Sequence, residues 1–221
     1  MDLTLYYHPF SNFCQKALIA LYEAAVPFEP RAIDLGNSED RAELEGLWPM
    51  VKFPVLRDAR RNVTVPEASL IVGYVDDHYS GNERLVPRDP DDVLNVHLFD
   101  RIVDNYLMTP TAKVVTDQFR GEGRHDADGV EQAKATIATA YRILESMLTD
   151  AGWAVGDRFT LADCGAGPAL FYTNIIVPIA DYPKLSAYYR RLLERPSFAR
   201  AIDEARPYRA GFPLPWPADY S

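Results

Sequence analysis

The strongest constraint on the fold is a change of pattern near residue 81. Before that point, short apolar strand patterns alternate with helical patterns, and no strand pattern of comparable strength follows it. The order of the first part is β-α-β-α-β-β-α, which predicts a parallel crossover followed by a hairpin and a helix. The segment 81–90 is polar and contains Gly and Pro, as is typical of a linker. The sequence therefore predicts an α/β domain over residues 1–80 and an all-α domain over residues 91–221.

Apolar periodicity defines the elements that we expect within each domain. Strands are predicted over residues 3–7, 28–33, 54–57 and 62–65, and helices from a cap at Ser11 or Asn12 to about residue 25, over 39–47 and over 67–79. Further helices are predicted over 91–106, 130–148, 161–172, 182–193 and 197–204, with a polar loop over 121–129. The first of these is predicted to be amphipathic, with an apolar face formed by Leu94, Leu98, Ile102 and Tyr106.

The formal net charge of −9 limits the classes of partner. A chain this acidic repels phosphate backbones and anionic lipids, so we expect neither a nucleic acid nor a membrane partner. The start has no basic region followed by an apolar run, and no stretch of about 18 apolar residues exists, so neither a signal peptide nor a membrane span is predicted. Cys14 and Cys164 are far apart and fit neither a zinc site nor a disulfide framework. They are predicted to be reduced thiols in a cytoplasmic protein.

The segment SNFC, residues 11–14, opens the first predicted helix. A helix N-terminus presents unpaired N–H groups and partial positive charge, which stabilise an anion such as a thiolate. The Ser11 hydroxyl can donate a hydrogen bond to a bound thiolate, although serine is also a preferred N-cap. Cys14 lies one turn into the helix, where a free cysteine is most often buried.

Pro54 opens a predicted strand, where a residue without an N–H cannot contribute to the hydrogen-bond ladder. A cis Phe53–Pro54 bond would turn the backbone of Phe53 outward, so that its N–H and C=O could pair with an extended peptide ligand. An ordinary trans proline on an edge strand is the alternative, and the rarity of cis bonds favours it.

The segment from Pro66 to Ser69 opens the third predicted helix. The Glu67 carboxylate can bind an amino group, and the N–H groups of Ala68 and Ser69 can bind a neighbouring carboxylate. Alternatively, Glu67 only complements the helix dipole. Taken in order, the three segments predict a ligand with a thiol, a peptide bond and an amino acid head group. Glutathione has this chemistry.

These segments resemble the cytosolic glutathione S-transferase superfamily. The resemblance is carried by LYYHPFSNFCQKALIAL, KFPVL, EASLIVGYVDDHY and GDRFTLADC, and it extends from residue 3 to about residue 204. SNFCQKALIAL is most similar to the serine-type classes (tau, zeta and similar), in what looks like a bacterial-style member. The resemblance implies the glutathione S-transferase fold, which is a thioredoxin-like domain followed by an all-α domain, together with a cis Pro54 and a homodimer.

The resemblance also implies site residues and a reaction. Ser11 would stabilise the thiolate of glutathione, the co-substrate, for attack on a small hydrophobic electrophile, and no metal is expected. Glutathione would be bound by Phe13, Lys52, Phe53, Pro54, Glu67, Ala68 and Ser69. The second substrate would lie against Phe99, Tyr106, Met108 and Tyr172, although apolar residues at helical spacing are more often packed in a core. A histidine in a turn, such as His8, is expected to have no role.

Two departures from the family pattern keep other functions open. Ala68 stands where the family usually has a serine, and Val51 stands where it usually has a glycine. Both favour a non-catalytic binding or assembly module. A second enzymatic alternative is glutathione-dependent thiol–disulfide exchange by Cys14, because SNFC resembles a glutaredoxin-type C-x-x-C whose first cysteine has become Ser11.

Two local features of the C-terminal part carry structural predictions. In GDRFTLADC, Thr160 and Asp163 can form a capping box, and Phe159 and Cys164 occupy hydrophobic-staple positions. The family uses this segment for folding, so no catalytic role is assigned to Asp163. The Pro-rich aromatic tail is predicted to be extended and to lie against the body, because exposed aromatic residues such as Phe212 and Trp216 would be unfavourable there.

Overall fold

The first part of the chain folds around a small mixed sheet. The computed structural model describes residues 2–79, 81, 84–149 and 152–215. The elements are β1 (Leu3–Tyr7), α1 (Asn12–Glu23), β2 (Glu29–Ala32), α2 (Ser38–Leu47), β3 (Val55–Asp58), β4 (Val63–Pro66) and α3 (Ala68–His78). The strand order is β2-β1-β3-β4, with β1 parallel to β2 and antiparallel to β3. The predicted β-α-β-α-β-β-α order of a thioredoxin-like domain is confirmed.

The second part of the described chain is helical. Its elements are α4 (Pro90–Val103), a π-helical turn (Asp104–Met108), α5 (Thr109–Asp117), α6 (Ala127–Met147), α7 (Leu161–Ile176), α8 (Pro183–Leu193), α9 (Pro196–Ala205) and a 3-10 turn (Arg206–Gly211). Helix α7 is buried continuously from Leu161 to Thr173, because its mostly small and apolar side chains are covered on all sides. The predicted fold class is confirmed. No helix among the described residues is long and apolar enough to span a membrane.

Asp163 fixes the start of α7. Its carboxylate accepts hydrogen bonds from the backbone N–H groups of Thr160 and Ala154, both at 2.8 Å, and from the Tyr188 hydroxyl at 2.6 Å. The bond to Thr160 confirms the aspartate half of the predicted capping box. Burial raises the pKa of Asp163, and these hydrogen bonds act against the rise.

Of the apolar face that was predicted for α4, only Ile102 is buried in the core. Leu94 and Leu98 are 67% and 49% exposed, whereas Val96 and Phe99 are fully buried in the core of the helical domain. Both rows are apolar at helical spacing, so periodicity could not decide which row faces the protein.

Helix α5 is absent from the sequence prediction, which ended the preceding helix near Tyr106. Proline lacks an N–H and normally ends a helix, and Pro110 follows soon after. In the structure a π-helical turn precedes it, and the backbone N–H of Thr109 bonds to the carbonyl of Asp104. This wider turn lets the chain continue as a helix through Pro110, which occupies the first turn of α5.

The C-terminal segment begins differently from the prediction. Residues 206–211 form the 3-10 turn instead of an extended chain. Phe212 then stacks on Phe10 with ring centroids 5.5 Å apart, which confirms that this part of the tail packs against the body. Trp216 lies outside the described residues.

Candidate active site

Ser11 is the N-cap of α1. Its Oγ accepts a hydrogen bond from the backbone N–H of Cys14 at 3.4 Å. A serine hydroxyl also carries one hydrogen that it can donate, so capping the helix does not use up its donor. Ser11 is partly exposed and lies in the wall of a cavity between the two domains. The two predicted roles of Ser11, helix cap and hydrogen-bond donor, are therefore compatible.

Cys14 is fully buried on the inner face of α1. Burial raises the pKa of its thiol to about 12, although the Ser11 side chain and the backbone N–H of His8, which donates to Cys14 Sγ at 3.4 Å, act in the opposite direction. The predicted burial of Cys14 is confirmed. A nucleophilic cysteine needs access and a low pKa, and Cys14 has neither, so the geometry counts against thiol–disulfide exchange by this residue.

Two adjoining cavities lie at the N-terminus of α1. The smaller has a volume of about 120 Å³ and is lined by Phe13, Trp48, Lys52, Phe53, Pro54, Glu67 and Ala68. The larger, of about 640 Å³, includes Ser11 in its wall. Phe13 and Phe53 line both, so the two cavities meet at these rings. A third cavity of about 720 Å³ lies beyond Tyr208, and none of the predicted site residues lines it.

The Phe53–Pro54 peptide bond is cis, as the family resemblance implied. Pairing of β3 with β1 begins one residue later, at Val55. Among the described residues, the backbone of Phe53 makes no backbone–backbone hydrogen bond outside the regular elements. Its N–H and C=O therefore remain available for hydrogen bonds to a ligand in the smaller cavity. An extended peptide that added to the sheet as a further strand would use these two groups.

Glu67 precedes α3 with a φ of 70°, a backbone conformation that non-glycine residues seldom adopt. Its side chain makes no capping hydrogen bond to the helix, and it is exposed in the wall of the smaller cavity. A carboxylate that only served the helix would be expected to cap it. The N–H groups of Ala68 and Ser69 lie in the first turn of α3, where a helix supplies them with no intrahelical partner.

The side chain of Ser69 points away from the predicted site. Its hydroxyl accepts a hydrogen bond from Lys16 Nζ at 2.8 Å and donates to Asp100 Oδ2 at 2.9 Å. It belongs to a charged cluster between the domains and does not line the smaller cavity. The expectation that Ser69 binds the ligand is corrected for its hydroxyl, because the helix directs it toward α4; only its backbone N–H remains at the site.

The four residues that were predicted for the second substrate have three different positions. Phe99 and Met108 are fully buried in the helical core, and they line neither of the adjoining cavities. Tyr106 is 49% exposed and also lies outside these cavities. Only Tyr172 lines the larger one. The predictions for Phe99 and Met108 are wrong, because both side chains are packed in the helical core. The prediction for Tyr106 is wrong as well, because its side chain is exposed outside both cavities.

The sequence analysis missed the wall that α5 and the loop after it supply to the larger cavity. That wall consists of Thr111, Ala112, Val115, Thr116 and Phe119. The spacing of 112, 115, 116 and 119 is helical and could have revealed this face. His8, which was expected to have no role, also lines this cavity.

Among the residues that the structure describes, no group of three or more His, Cys, Asp or Glu side chains could hold a metal ion. The charged residues that line the smaller cavity are Lys52 and Glu67, one cation and one anion. This pair suits a zwitterionic ligand better than a metal.

Known proteins share both halves of this architecture. The profile of the glutathione S-transferase N-terminal domain matches residues 5–83, and that of the C-terminal domain matches residues 127–191. Together the two matches span more than half of the chain. The chain belongs to the glutathione S-transferase superfamily.

Individual known proteins match along almost the whole chain. Glutathione S-transferase U22 of Arabidopsis thaliana is 28% identical over 203 residues, covering 88% of this chain and 87% of that protein. FtsZ-localized protein A of Caulobacter vibrioides is 24% identical over 219 residues, covering 94% and 93%. The crystal structure of a glutathione S-transferase from Methylobacterium radiotolerans in complex with glutathione sulfonate superposes with a TM-score of 0.80 at 28% identity, covering 91% and 94%.

Val51 stands where glutathione S-transferases usually have a glycine. Its φ of 52° lies in the left-handed region, which is unusual for a β-branched residue. Its side chain packs against the small apolar cluster of Ile33, Leu44 and Val55. The loop that carries Lys52 and Phe53 therefore keeps a glycine-type backbone despite the substitution.

Proposed function

We propose that this protein is a glutathione transferase that activates the thiol of glutathione with Ser11 for attack on a small hydrophobic electrophile. The observation that carries the proposal is the junction of the two cavities at Phe13 and Phe53, with Ser11 in the wall of the larger one. A tripeptide in the smaller cavity would present its thiol at this junction. An electrophile in the larger cavity would then meet the sulfur directly.

The smaller cavity offers complementary groups for each part of glutathione. The exposed backbone of Phe53 pairs with the cysteinyl peptide unit, as in the addition of one strand. Glu67 binds the ammonium of the γ-glutamyl head group, and the N–H groups at the start of α3 bind its carboxylate. Lys52 is exposed at the same cavity and binds the glycyl carboxylate.

Catalysis in this proposal depends on the ionisation of the bound thiol. Ser11 donates its hydroxyl hydrogen to the sulfur, and the positive end of α1 adds to the stabilisation of the thiolate. The thiol proton passes to solvent. The sulfur then forms a bond to the electrophilic carbon while the leaving group departs with its electron pair, or while the electrons of a double bond move away from the attacked carbon.

We also propose that the protein forms a homodimer through the exposed apolar residues of α3 and α4. Leu70, Leu94 and Leu98 are 61%, 67% and 49% exposed. The two helices are linked by the hydrogen bond from Ser69 to Asp100, so their outer faces belong to one region of the surface. Apolar surface of this kind is typical of a protein interface.

A non-catalytic binding module is the second candidate. It is favoured by Ala68, which brings a methyl group into the smaller cavity where the family usually has a hydroxyl. The name of one relative, FtsZ-localized protein A, also refers to localisation and not to a reaction.

Calorimetry with glutathione, followed by a conjugation assay with a generic electrophile, tests these alternatives. The proposed enzyme binds glutathione and conjugates it, and substitution of Ser11 lowers the rate of conjugation. Binding without conjugation at any pH between 6 and 9 would support the binding module instead. An absence of binding at millimolar glutathione would contradict the proposed enzyme.

A further inference from the structure

Gln15 lies in the first turn of α1 and is fully buried. Its Nε2 donates one hydrogen bond to the backbone carbonyl of Pro9 at 2.9 Å and another to the hydroxyl of Tyr172 at 3.1 Å. Pro9 belongs to the loop that joins β1 to α1, two residues before Ser11, whereas Tyr172 belongs to α7 of the second domain. One side chain therefore connects the loop that ends at Ser11 to the other domain.

The partners of Gln15 define the orientation of its amide group. A backbone carbonyl can only accept a hydrogen bond, so the NH2 group and not the oxygen faces Pro9. The two hydrogens on Nε2 are then both used, one on Pro9 and one on Tyr172. Burial raises the pKa of Tyr172, although the bond from Gln15 acts in the opposite direction, so the tyrosine hydroxyl keeps its proton around neutral pH.

The amide oxygen of Gln15 shows that this residue is not optimal for stability alone. It is buried and has no hydrogen-bond partner among the described residues. An unpaired buried acceptor is unfavourable, and an apolar side chain of the same length, such as methionine, would avoid it. The two bonds that Nε2 donates are therefore what a glutamine contributes at this position.

The buried carbonyl of Pro9 depends on Gln15. No second donor bonds to it within the part of the chain that the structure describes. The backbone of the loop is otherwise held by internal bonds, such as that from the Ser11 N–H to the His8 carbonyl at 3.0 Å, and by a bond from the His8 N–H to the sulfur of Cys14, a weak acceptor, at 3.4 Å. Without Gln15 the Pro9 carbonyl would be free to turn toward another donor, and the loop would move with it.

We propose that Gln15 is a positioning residue for the activation of glutathione, which holds Pro9 against α7 and thereby fixes the direction of the Ser11 hydroxyl toward the thiol. A hydrogen bond weakens steeply as its angle departs from linearity, so a small movement of the loop lowers the stabilisation of the thiolate. Gln15 itself does not touch the ligand, because it lines neither of the adjoining cavities. This inference rests on the proposed transferase function and adds a residue to the same site.

The pKa of the glutathione thiol in the complex, measured by the ultraviolet absorbance of the thiolate, tests this role. Gln15→Met keeps the length of the side chain but removes both donors, and it is expected to raise the thiol pKa by about 0.5–1 unit. The kcat for conjugation of a generic electrophile is then expected to fall about three- to tenfold at about pH 6.5 and to approach the wild-type value at about pH 9, where the thiolate fraction recovers. The KM for glutathione should change little, because Gln15 makes no contact with it.

A double substitution shows whether Gln15 acts through Ser11. Ser11→Gly has no hydroxyl to orient, so the addition of Gln15→Met to it is expected to leave the thiol pKa at the value of Ser11→Gly. An equal rise in the wild-type and Ser11→Gly backgrounds would overturn the inference, because Gln15 would then act without Ser11.

Tyr172→Phe tests the link to α7 while leaving the bond from Gln15 to Pro9 in place. It is expected to raise the thiol pKa by less than Gln15→Met does. If Gln15→Met does not fold, an unchanged thiol pKa in Tyr172→Phe overturns the inference.

Thr173→Val is the matched control for loss of a buried hydrogen bond. Thr173 is fully buried on the same helix as Tyr172, and its hydroxyl donates to the carbonyl of Ala169 within that helix at 2.8 Å. Its substitution is expected to lower the free energy of unfolding without changing the thiol pKa.

The remaining outcomes separate this inference from the proposed function. An unchanged thiol pKa in Gln15→Met, in a protein that binds glutathione with wild-type affinity, overturns the inference and leaves the role of Ser11 intact. A loss of kcat that is the same at every pH also overturns it, because the effect would then be structural. If the wild-type protein does not bind glutathione, the transferase function and this inference both fail.

Discussion

Lys16 Nζ lies 2.9 Å from Asp104 Oδ1, and this ion pair joins α1 of the first domain to the helical domain. The Lys16 side chain is fully buried and also contacts the fully buried carboxylate of Asp100. Ser69 and the half-exposed Arg101 complete the cluster by bonding to the same carboxylates. Because the cluster lies at the domain boundary and includes Ser69, it holds α3, which directly follows Glu67, against the second domain.

Replacement of Lys16 by methionine is expected to lower the free energy of unfolding by about 3–5 kcal/mol, because it leaves buried carboxylates without their main counter-charge. Urea titration measures the loss. Lys134→Met is the matched control, since Lys134 pairs with exposed Glu131 on the surface and its loss is expected to cost less than about 0.5 kcal/mol. Equal losses in the two variants would contradict this account of the cluster.

The same cluster predicts a pH dependence. Burial alone would raise the pKa of Asp100, but the charges and hydrogen bonds of Lys16 and Arg101 outweigh it and hold the pKa below its usual value. A lowered folded-state pKa contributes stability that is present above the unfolded pKa and is lost as pH falls through the folded value. We therefore expect the stability difference between wild type and Lys16→Met to narrow as pH falls below about 4. A difference that stays constant with pH would argue that lost packing, and not charge, destabilises the variant.

Cys14 is expected to resist alkylation in the folded protein. Its thiol is fully buried with a pKa of about 12, so almost no thiolate exists at pH 8. Mass spectrometry after treatment with iodoacetamide should show unmodified Cys14 in the native protein and complete modification in urea. Modification of the native protein as fast as in urea would restore Cys14 as a candidate nucleophile.

Ala68→Ser is expected to strengthen glutathione binding about three- to tenfold, because it adds one hydrogen-bonding group to the wall of the smaller cavity. Calorimetry at constant pH measures the change in Kd. Ala135→Ser, at an exposed position on α6, serves as the control and should leave Kd unchanged. If Ala68→Ser and the control bind glutathione equally, Ala68 does not face the ligand.

Leu98→Glu is expected to shift the proposed homodimer toward monomer, because it places a charge on the apolar surface of α4. Sedimentation velocity over a range of protein concentrations measures the shift. Ile143→Glu on α6 is the control, since Ile143 is similarly exposed, at 42%, but lies on another helix. A wild-type protein that sediments as a monomer at all concentrations would contradict the homodimer.

The fold and the smaller cavity were largely predictable because they depend on local signals. Strand and helix periodicity predicted the order of elements in the first domain, and Ser11, Phe53 and Glu67 each lie at the end of an element where turn chemistry is visible in the sequence. The direction in which the Ser69 hydroxyl points was not predictable, because its hydrogen-bond partners, Lys16 and Asp100, are 53 and 31 residues away in the chain.

The residues that form the wall of the larger cavity could not be predicted from the sequence, for a different reason. The sequence prediction ended the helix near Tyr106, and only the π-helical turn over Asp104–Met108 shows how the helix continues to Thr111 and beyond. Phe99 and Met108 were poor predictions for a related reason, since apolar residues at helical spacing look alike whether they face the core or a cavity.

The pKa of the glutathione thiol in the complex tests the central claim most directly, and the ultraviolet absorbance of the thiolate measures it during a pH titration. Ser11→Gly removes the hydroxyl at small cost to the helix, because glycine is an acceptable N-cap, while Ser11→Thr keeps the hydroxyl. We predict a thiol pKa in the wild-type complex below that of free glutathione, a rise of about 1–2 units in Ser11→Gly, and a value near wild type in Ser11→Thr. The same thiol pKa in the wild-type and Ser11→Gly complexes would contradict the account.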